Sequence, residues 1–158
     1  MRLLIRTILP VALFILVFDR VTKWYVVDYL DLPNQFDAEG NAGRMEVWDP
    51  FLNLAMAWNT GINFGLGSDS SPWVLIGVAV AISAGLIFWS MRKGSVAVAV
   101  GAGLVVGGAI GNAWDRASDW GAVADFLNMS CCGIDNPFSF NVADIAIFLG
   151  AVWIAIRA

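Results

Sequence analysis

Histidine is absent from the 158 residues, and that absence removes Ser–His and Cys–His nucleophilic catalysis, HExxH zinc sites and any imidazole proton shuttle. Charge is also scarce. Only 14% of residues are Asp, Glu, Lys or Arg, with 9 basic against 13 acidic and a net charge of −4, where a soluble domain carries about 25%. Without a basic patch a nucleic-acid binder is excluded. A disordered chain is excluded as well, because 59% of the residues are hydrophobic and the mean hydropathy is +0.72. The two cysteines, Cys131 and Cys132, are adjacent, a spacing that fits neither a zinc site nor a long-loop disulfide framework. If the chain is an enzyme, carboxylates lead the candidates for acid–base work.

What is abundant is apolar sequence in long runs. A spanning helix needs roughly 20 apolar residues, and four stretches qualify, at about 4–27, 72–91, 96–114 and 140–156. The first follows Arg2 and Arg6 as a signal peptide would, but no small-x-small cleavage site follows it, so a retained helix is expected. Arg2, Arg6, Arg92, Lys93 and Arg157 fall on one side of these runs, which the positive-inside bias makes the cytoplasm. Segments 28–71 and 115–139 then lie outside, and the first holds Asp28, Asp31, Asp37, Glu39, Glu46, Asp49 and Asp69 against Arg44. The expected architecture is an all-α polytopic membrane protein, one domain of residues 1–158 with four transmembrane helices. A small β-rich or irregular segment joins helices one and two, and a short loop or helix joins three and four. Residues 45–66 mix aromatics with turn formers and predict short strands or a hairpin at the membrane surface. Residues 31–44 read as a loop. Gly103, Gly107 and Gly111 recur every fourth position and provide a face for close helix packing.

An ionisable group in hydrocarbon costs at least about 2.5–3.5 kcal/mol, so each one requires a reason. Asp19 and Lys23 are four apart on one helical face and predict an ion pair that ties the helix to its neighbours. Arg20 points elsewhere, to another acid or a lipid headgroup. Asp115 and Arg116 end the third run, where a local pair or a headgroup contact is the plain reading, and Asp119 reads as a solvated loop charge. Asp125 sits within Ala122-Val123-Ala124 and Phe126-Leu127, where a desolvated carboxyl has a raised pKa. Asp144 opens the fourth run, where the helix dipole favours a negative charge. Two carboxyls brought together at the outer surface share one proton, and can then act as base on a water and as donor to a carbonyl oxygen. Other classes remain open on composition: a small transporter, a non-enzymatic assembly factor docking through the glycine face, or a lipid transferase. The first lacks an internal repeat, and the second leaves Asp125 and Asp144 without work.

Five blocks stand in order along the chain: DRVTK at residues 19–23, NTGINFG at 59–65, GGAIGNAWDR at 107–116, VADF at 123–126 and FNVADIAIFLG at 140–150. In these blocks the chain closely resembles bacterial lipoprotein signal peptidase, or signal peptidase II. The resemblance implies an intramembrane aspartyl endopeptidase of the bacterial inner membrane. Its substrates would be diacylglyceryl-modified prolipoproteins, cut just before the lipid-modified cysteine, with no metal, cofactor or obligate protein partner. It makes Asp125 and Asp144 the catalytic pair, and puts Asn59, Asn112, Arg116 and Asn141 on positions lining the substrate pocket. Asp19, Lys23 and Asp115 become supports of fold or site. Both termini would be cytoplasmic and the site near the periplasmic face. Ile62 and Asn63 stand where alanine-like residues are common, and Trp114 where a smaller aliphatic is usual. The chain is not itself expected to be a lipoprotein, since Asn128 precedes Cys131 by three where an apolar residue is wanted.

Overall fold

The structure is a computed structural model describing residues 2, 4–61, 71–134 and 136–158. Its four helices are α1 (Leu9–Lys23), α2 (Pro72–Lys93), α3 (Val96–Ala117) and α4 (Val142–Arg157). Wider π-helical turns at Leu4–Ile8 and Trp24–Tyr29 continue α1 at both ends. Sequence-local rules account for the boundaries. Pro72 occupies the first turn of α2, Gly94 closes it at φ 73°, and the Ser95 side chain accepts from the Val98 amide to start α3. Only Gly94 and Ser95 separate α2 from α3, so the two run antiparallel. Both are 22 residues long, and they are the two helices among the described residues that are long and apolar enough to cross a membrane.

Helix α3 is the centre of the bundle, and its glycines are the reason. A Cβ on Gly107 would lie 2.6 Å from the Ala12 carbonyl oxygen, and one on Gly103 would lie 2.7 Å from Val11 Cβ. On the other side of α3, Gly108 faces the Ala143 backbone and Gly101 meets the turn of Gly150. The small-residue face therefore packs against α1, as its spacing predicts, and a second glycine face, on Gly101 and Gly108, receives α4. These contacts fix direction: early α3 meets early α1 and late α4, so α1 and α3 are parallel and α4 is antiparallel to both. Large side chains such as Trp73, Val78, Ile82 and Phe88 of α2 stay exposed, as an apolar surface facing lipid requires.

At the end of the bundle where α1 and α3 finish and α4 begins lies a three-stranded antiparallel sheet in the order β1 (Arg44–Trp48), β2 (Leu52–Asn59), β3 (Val123–Asn128). The hairpin expected within residues 45–66 is β1–β2. Residues 62–66 of that segment, with Ile62 and Asn63, and Asp69 farther on, lie outside the described residues. Of the expected loop 31–44, residues 31–43 form a loop with one 3-10 turn at Leu32–Asn34 and a single bridge between Phe36 and Ala42, while Arg44 already pairs with Ala55 in β1. The connection between α3 and α4 departs from expectation: it carries a strand, β3, and not merely a loop or helix. Five of the six β3 residues are buried, so the strand shows no polar–apolar alternation, and its partner β2 lies some 66 positions earlier in the chain. Val26, Leu32, Leu54 and Phe126 form the core joining the sheet to the end of the first helix. Cys131 and Cys132 are bonded to each other in the exposed loop after β3.

Candidate active site

Strand β3 and the first turn of α4 bring Asp125 and Asp144 together. Phe140 pairs with Leu127, its N–H donating to the Leu127 carbonyl at 3.0 Å and its carbonyl accepting from Leu127 N–H at 2.8 Å. Helix α4 must therefore start beside β3. Asn141 caps it with a reciprocal box. Its Oδ1 accepts from the Asp144 amide at 2.9 Å, and Asp144 Oδ2 accepts from the Asn141 amide at 3.3 Å. The same Asn141 side chain donates through Nδ2 to Asp125 Oδ1 at 2.6 Å. One residue thus holds both carboxyls. Across β2, a register irregularity between Leu54 and Ala57 re-aims the strand so that Asn59 Nδ2 donates to Asp125 Oδ2 at 3.1 Å. Ser139, which sequence reading missed, ties this irregularity down by donating to the Ala55 carbonyl at 2.7 Å.

The three asparagines expected to line the substrate pocket direct amide N–H groups at the carboxylates, and Asn59 also lines the cavity that opens at Asp125. Asn112 Nδ2 donates to Asp144 Oδ1 at 2.9 Å, and its Oδ1 accepts from Asn141 Nδ2 at 3.2 Å. Arg116 donates to the carbonyls of Gly61 and Asn112, tethering the chain that leaves Asn59. A cavity of about 350 Å³ opens at Asp125 between Trp58, Gly61, Pro137 and Phe138. A cavity of about 360 Å³ on the outer side of the hairpin, lined by Asp37, Glu46 and Asn128 among others, touches neither aspartate.

Beneath the pair lies a buried ion cluster. Lys23 Nζ meets Asp19 Oδ2 at 3.0 Å and Asp115 Oδ2 at 2.6 Å, and all three side chains are fully buried. Arg20 pairs with Asp19 at 2.9 Å and with Asp115. The Asp19–Lys23 pair is the one expected. The local Asp115–Arg116 pair is not formed, because Asp115 shares the inner face of α3 with Gly111 and Asn112 while Arg116 turns toward Gly61. Asp119 is exposed, as a solvated loop charge should be.

Asp125 is 2% exposed, and burial, followed by the neighbouring charge of Asp144, pushes its pKa up to about 7. The hydrogen bonds from Asn59 and Asn141 and the charge of Lys23 pull the other way. Between the unfolded value near 3.8 and about 7 the folded chain holds a proton that the unfolded chain has released. Stability should therefore fall as pH rises through that window, by up to about 1.4 kcal/mol per unit. Thermal unfolding of detergent-solubilised protein from pH 4 to pH 8 checks this. Asp125→Asn, which cannot ionise, should flatten the slope.

Residues 11–158 match the model of the family described as signal peptidase (SPase) II. The chain belongs to that family. Curated lipoprotein signal peptidases resemble it over most of their length. One from a Methylobacterium species is 37% identical over 152 residues, covering 94% of this chain and 86% of the relative. Another, from Rhodopseudomonas palustris, is 41% identical over 142 residues, covering 85% and 80%. Two solved structures of a bacterial membrane enzyme, determined by the in meso method, superpose with TM-scores of 0.77 and 0.75 at 26% identity. Each covers 94% of this chain, with 85% and 90% of the solved chains matched. As a signal peptidase II the chain is a peptidase of the membrane, and the paired acids on β3 and α4 lie where its helices and sheet meet.

Proposed function

We propose that this signal peptidase II is an aspartyl endopeptidase in which Asp125 and Asp144 activate one water against the scissile peptide of a diacylglyceryl-modified prolipoprotein, just before the lipidated cysteine. The observation that carries the reading is Asn141, whose single side chain caps the helix bearing Asp144 and donates to Asp125. Two acids held this closely share a proton. Asp125, the more deeply buried, keeps it, and Asp144, half-buried with an amide donor on Oδ1, is the base. Water oxygen bonds to the carbonyl carbon as its proton passes to Asp144, while Asp125 protonates the carbonyl oxygen, giving a gem-diol. Asp144 then gives its proton to the amide nitrogen, the C–N bond breaks, and a gem-diol proton returns to Asp125. No metal enters this scheme.

The single domain of residues 1–158 crosses the inner membrane four times in this reading. Helices α2 and α3 span unaided, and α1 reaches across with its π-helical continuations. Helix α4 has 16 residues, about 24 Å at 1.5 Å per residue, and spans with its first turn in the outer interface. Arg92, Lys93 and Arg157 end helices on the side away from the sheet, so both termini are cytoplasmic and the aspartates lie near the periplasmic face. The substrate's acyl chains stay in the bilayer beside the helices. Purified protein given a diacylglyceryl-modified prolipoprotein with EDTA present should release the signal peptide, and mass spectrometry should find the modified cysteine at the new N-terminus. Cleavage abolished by EDTA, or a cut elsewhere, would contradict the proposal.

A further inference from the structure

Lys23 touches neither catalytic aspartate, yet each of its donors ends on a group that holds one. Nζ donates to Asp19 Oδ2 at 3.0 Å and to Asn112 Oδ1 at 3.3 Å, and meets Asp115 Oδ2 at 2.6 Å. These three acceptors match the three N–H bonds of an ammonium. Asp19 Oδ1 in turn accepts the N–H of Ala143 at 3.2 Å, the residue before Asp144. Asp115 Oδ2 accepts the N–H of Ala124 at 3.3 Å, the residue before Asp125. Asn112 donates to Asp144 itself. One buried cation is thus a single intermediary away from the backbone of α4, the backbone of β3 and the carboxylate of Asp144.

We infer that Lys23 is the positioning residue of the catalytic pair, acting chiefly through the orientation of the Asn112 amide. That amide has two orientations of nearly equal shape. In the observed one its oxygen faces two donors, Lys23 Nζ and Asn141 Nδ2, and its NH₂ faces Asp144. Flipped, it would set donors against donors on one side and an oxygen against a carboxylate on the other, each pairing losing a hydrogen bond in a buried place. The positive charge of Lys23 also polarises the amide toward Asp144. The charged groups that act on Asp144 are Asp125 from β3 and Arg116 from α3 directly, and Asp115 from α3 with Asp19, Arg20 and Lys23 from α1 through the ion cluster that Asn112 and Ala143 join to it. Among these basic groups Lys23 is the one bonded to Asn112 Oδ1. Arg20 shares both of the cluster's carboxylates but bonds no amide side chain of the site, reaching only the Gly111 carbonyl at 3.5 Å. It is the natural control. The inference rests on the assignment of Asp125 and Asp144 as the catalytic pair.

The test compares Lys23→Met, Lys23→Gln and Arg20→Met as folded, monodisperse protein in detergent. Thermal midpoint, kcat, KM and the pH–kcat profile are measured with a diacylglyceryl lipopeptide, and Asp144→Asn is run in parallel. Both methionine variants should lose thermal stability, since each leaves two buried carboxylates with one cation. Only Lys23→Met should lower kcat, by about 10²-fold, the scale of one lost preorganised donor. Its KM should stay within about threefold and the acid limb of its pH–kcat profile should move to higher pH. Lys23→Gln keeps a donor without the charge and should recover part of kcat, about tenfold. Arg20→Met should hold kcat within about threefold and keep its pH profile. Equal losses in Lys23→Met and Arg20→Met with an unmoved pH profile, or an unchanged kcat in Lys23→Met, would overturn the inference. If Lys23→Met does not fold, Lys23→Gln is judged against Arg20→Met by the same criteria. An active Asp144→Asn enzyme would instead sink the underlying assignment of the pair.

Discussion

Asparagine at either Asp125 or Asp144 is expected to lower kcat/KM for signal-peptide cleavage by at least about 10³-fold, within the 10²–10⁴ range of a lost general acid or base. Asp125→Asn retains the shape of the side chain but cannot give a proton to the carbonyl oxygen and recover it. Asp144→Asn cannot take the proton of the attacking water. Because the two groups act on one water in one step, the double variant should be scarcely worse than either single one. Folding should survive both changes. Asp125→Asn removes a carboxyl that burial disfavours but turns its NH₂ toward one of the two amide donors, Asn59 or Asn141, that the carboxylate accepts, so its thermal midpoint at pH 8 should stay close to that of the unaltered chain. In Asp144→Asn the amide oxygen can still accept the Asn141 N–H that closes the capping box. Single-turnover cleavage by monodisperse protein, with the unfolding midpoint measured on the same sample, separates chemistry from folding. Either variant cleaving within tenfold of the unaltered rate would break the assignment of the pair.

Where the helices lie was legible because hydrophobic length leaves few alternatives, and the punctuation is local: Pro72, Gly94-Ser95 and Asn141 are read from neighbours in the chain. The acids were legible for the opposite reason. Asp125 between Ala124 and Phe126, and Asp144 before Ile145, are costly unless they have work to do. Strand β3 was not legible, since it is buried on both faces and takes its register from β2, far off in sequence. The resemblance named Asn59, Asn112 and Asn141 but could not give the direction of their hydrogen bonds. An amide both donates and accepts, and only the placement of Lys23, Asp125 and Asp144 around it determines which end faces which. The same holds for Asp115: one helical step separates it from Arg116, and the side of α3 that faces α1 determined that it pairs with Lys23 and Arg20. Ser139 carried no signal, because its acceptor is a backbone carbonyl in another strand.

The capping residue itself offers a sharper separation of fold from chemistry. Asn141 uses its two amide atoms for different ends: Oδ1 caps α4, whereas Nδ2 reaches Asp125 at 2.6 Å, Asn112 Oδ1 at 3.2 Å and the Ala124 carbonyl at 3.4 Å. Aspartate is as good a helix cap as asparagine, and its charge suits the helix N-terminus. Asn141→Asp should therefore keep α4 capped. What it loses is the donor, leaving an oxygen that faces three acceptors, one of them Asp125. Asp125 then has a second carboxyl against it besides Asp144, and Asn112 loses one of the two donors that fix its amide. A fall in kcat/KM of about 10²–10³ is expected at pH 7, the scale of one preorganised donor removed from a dry site. Activity should return in part as pH is lowered, because the introduced carboxyl, once protonated, can donate again. Asn141→Ala lacks both atoms. It should lose about 1 kcal/mol of stability with the cap together with the activity, and show no recovery at low pH. Cleavage by Asn141→Asp within tenfold of the unaltered chain at pH 7 would mean that Asp125 is held by Asn59 and the strand alone, and that the bond joining the two acids through Asn141 is dispensable for the chemistry.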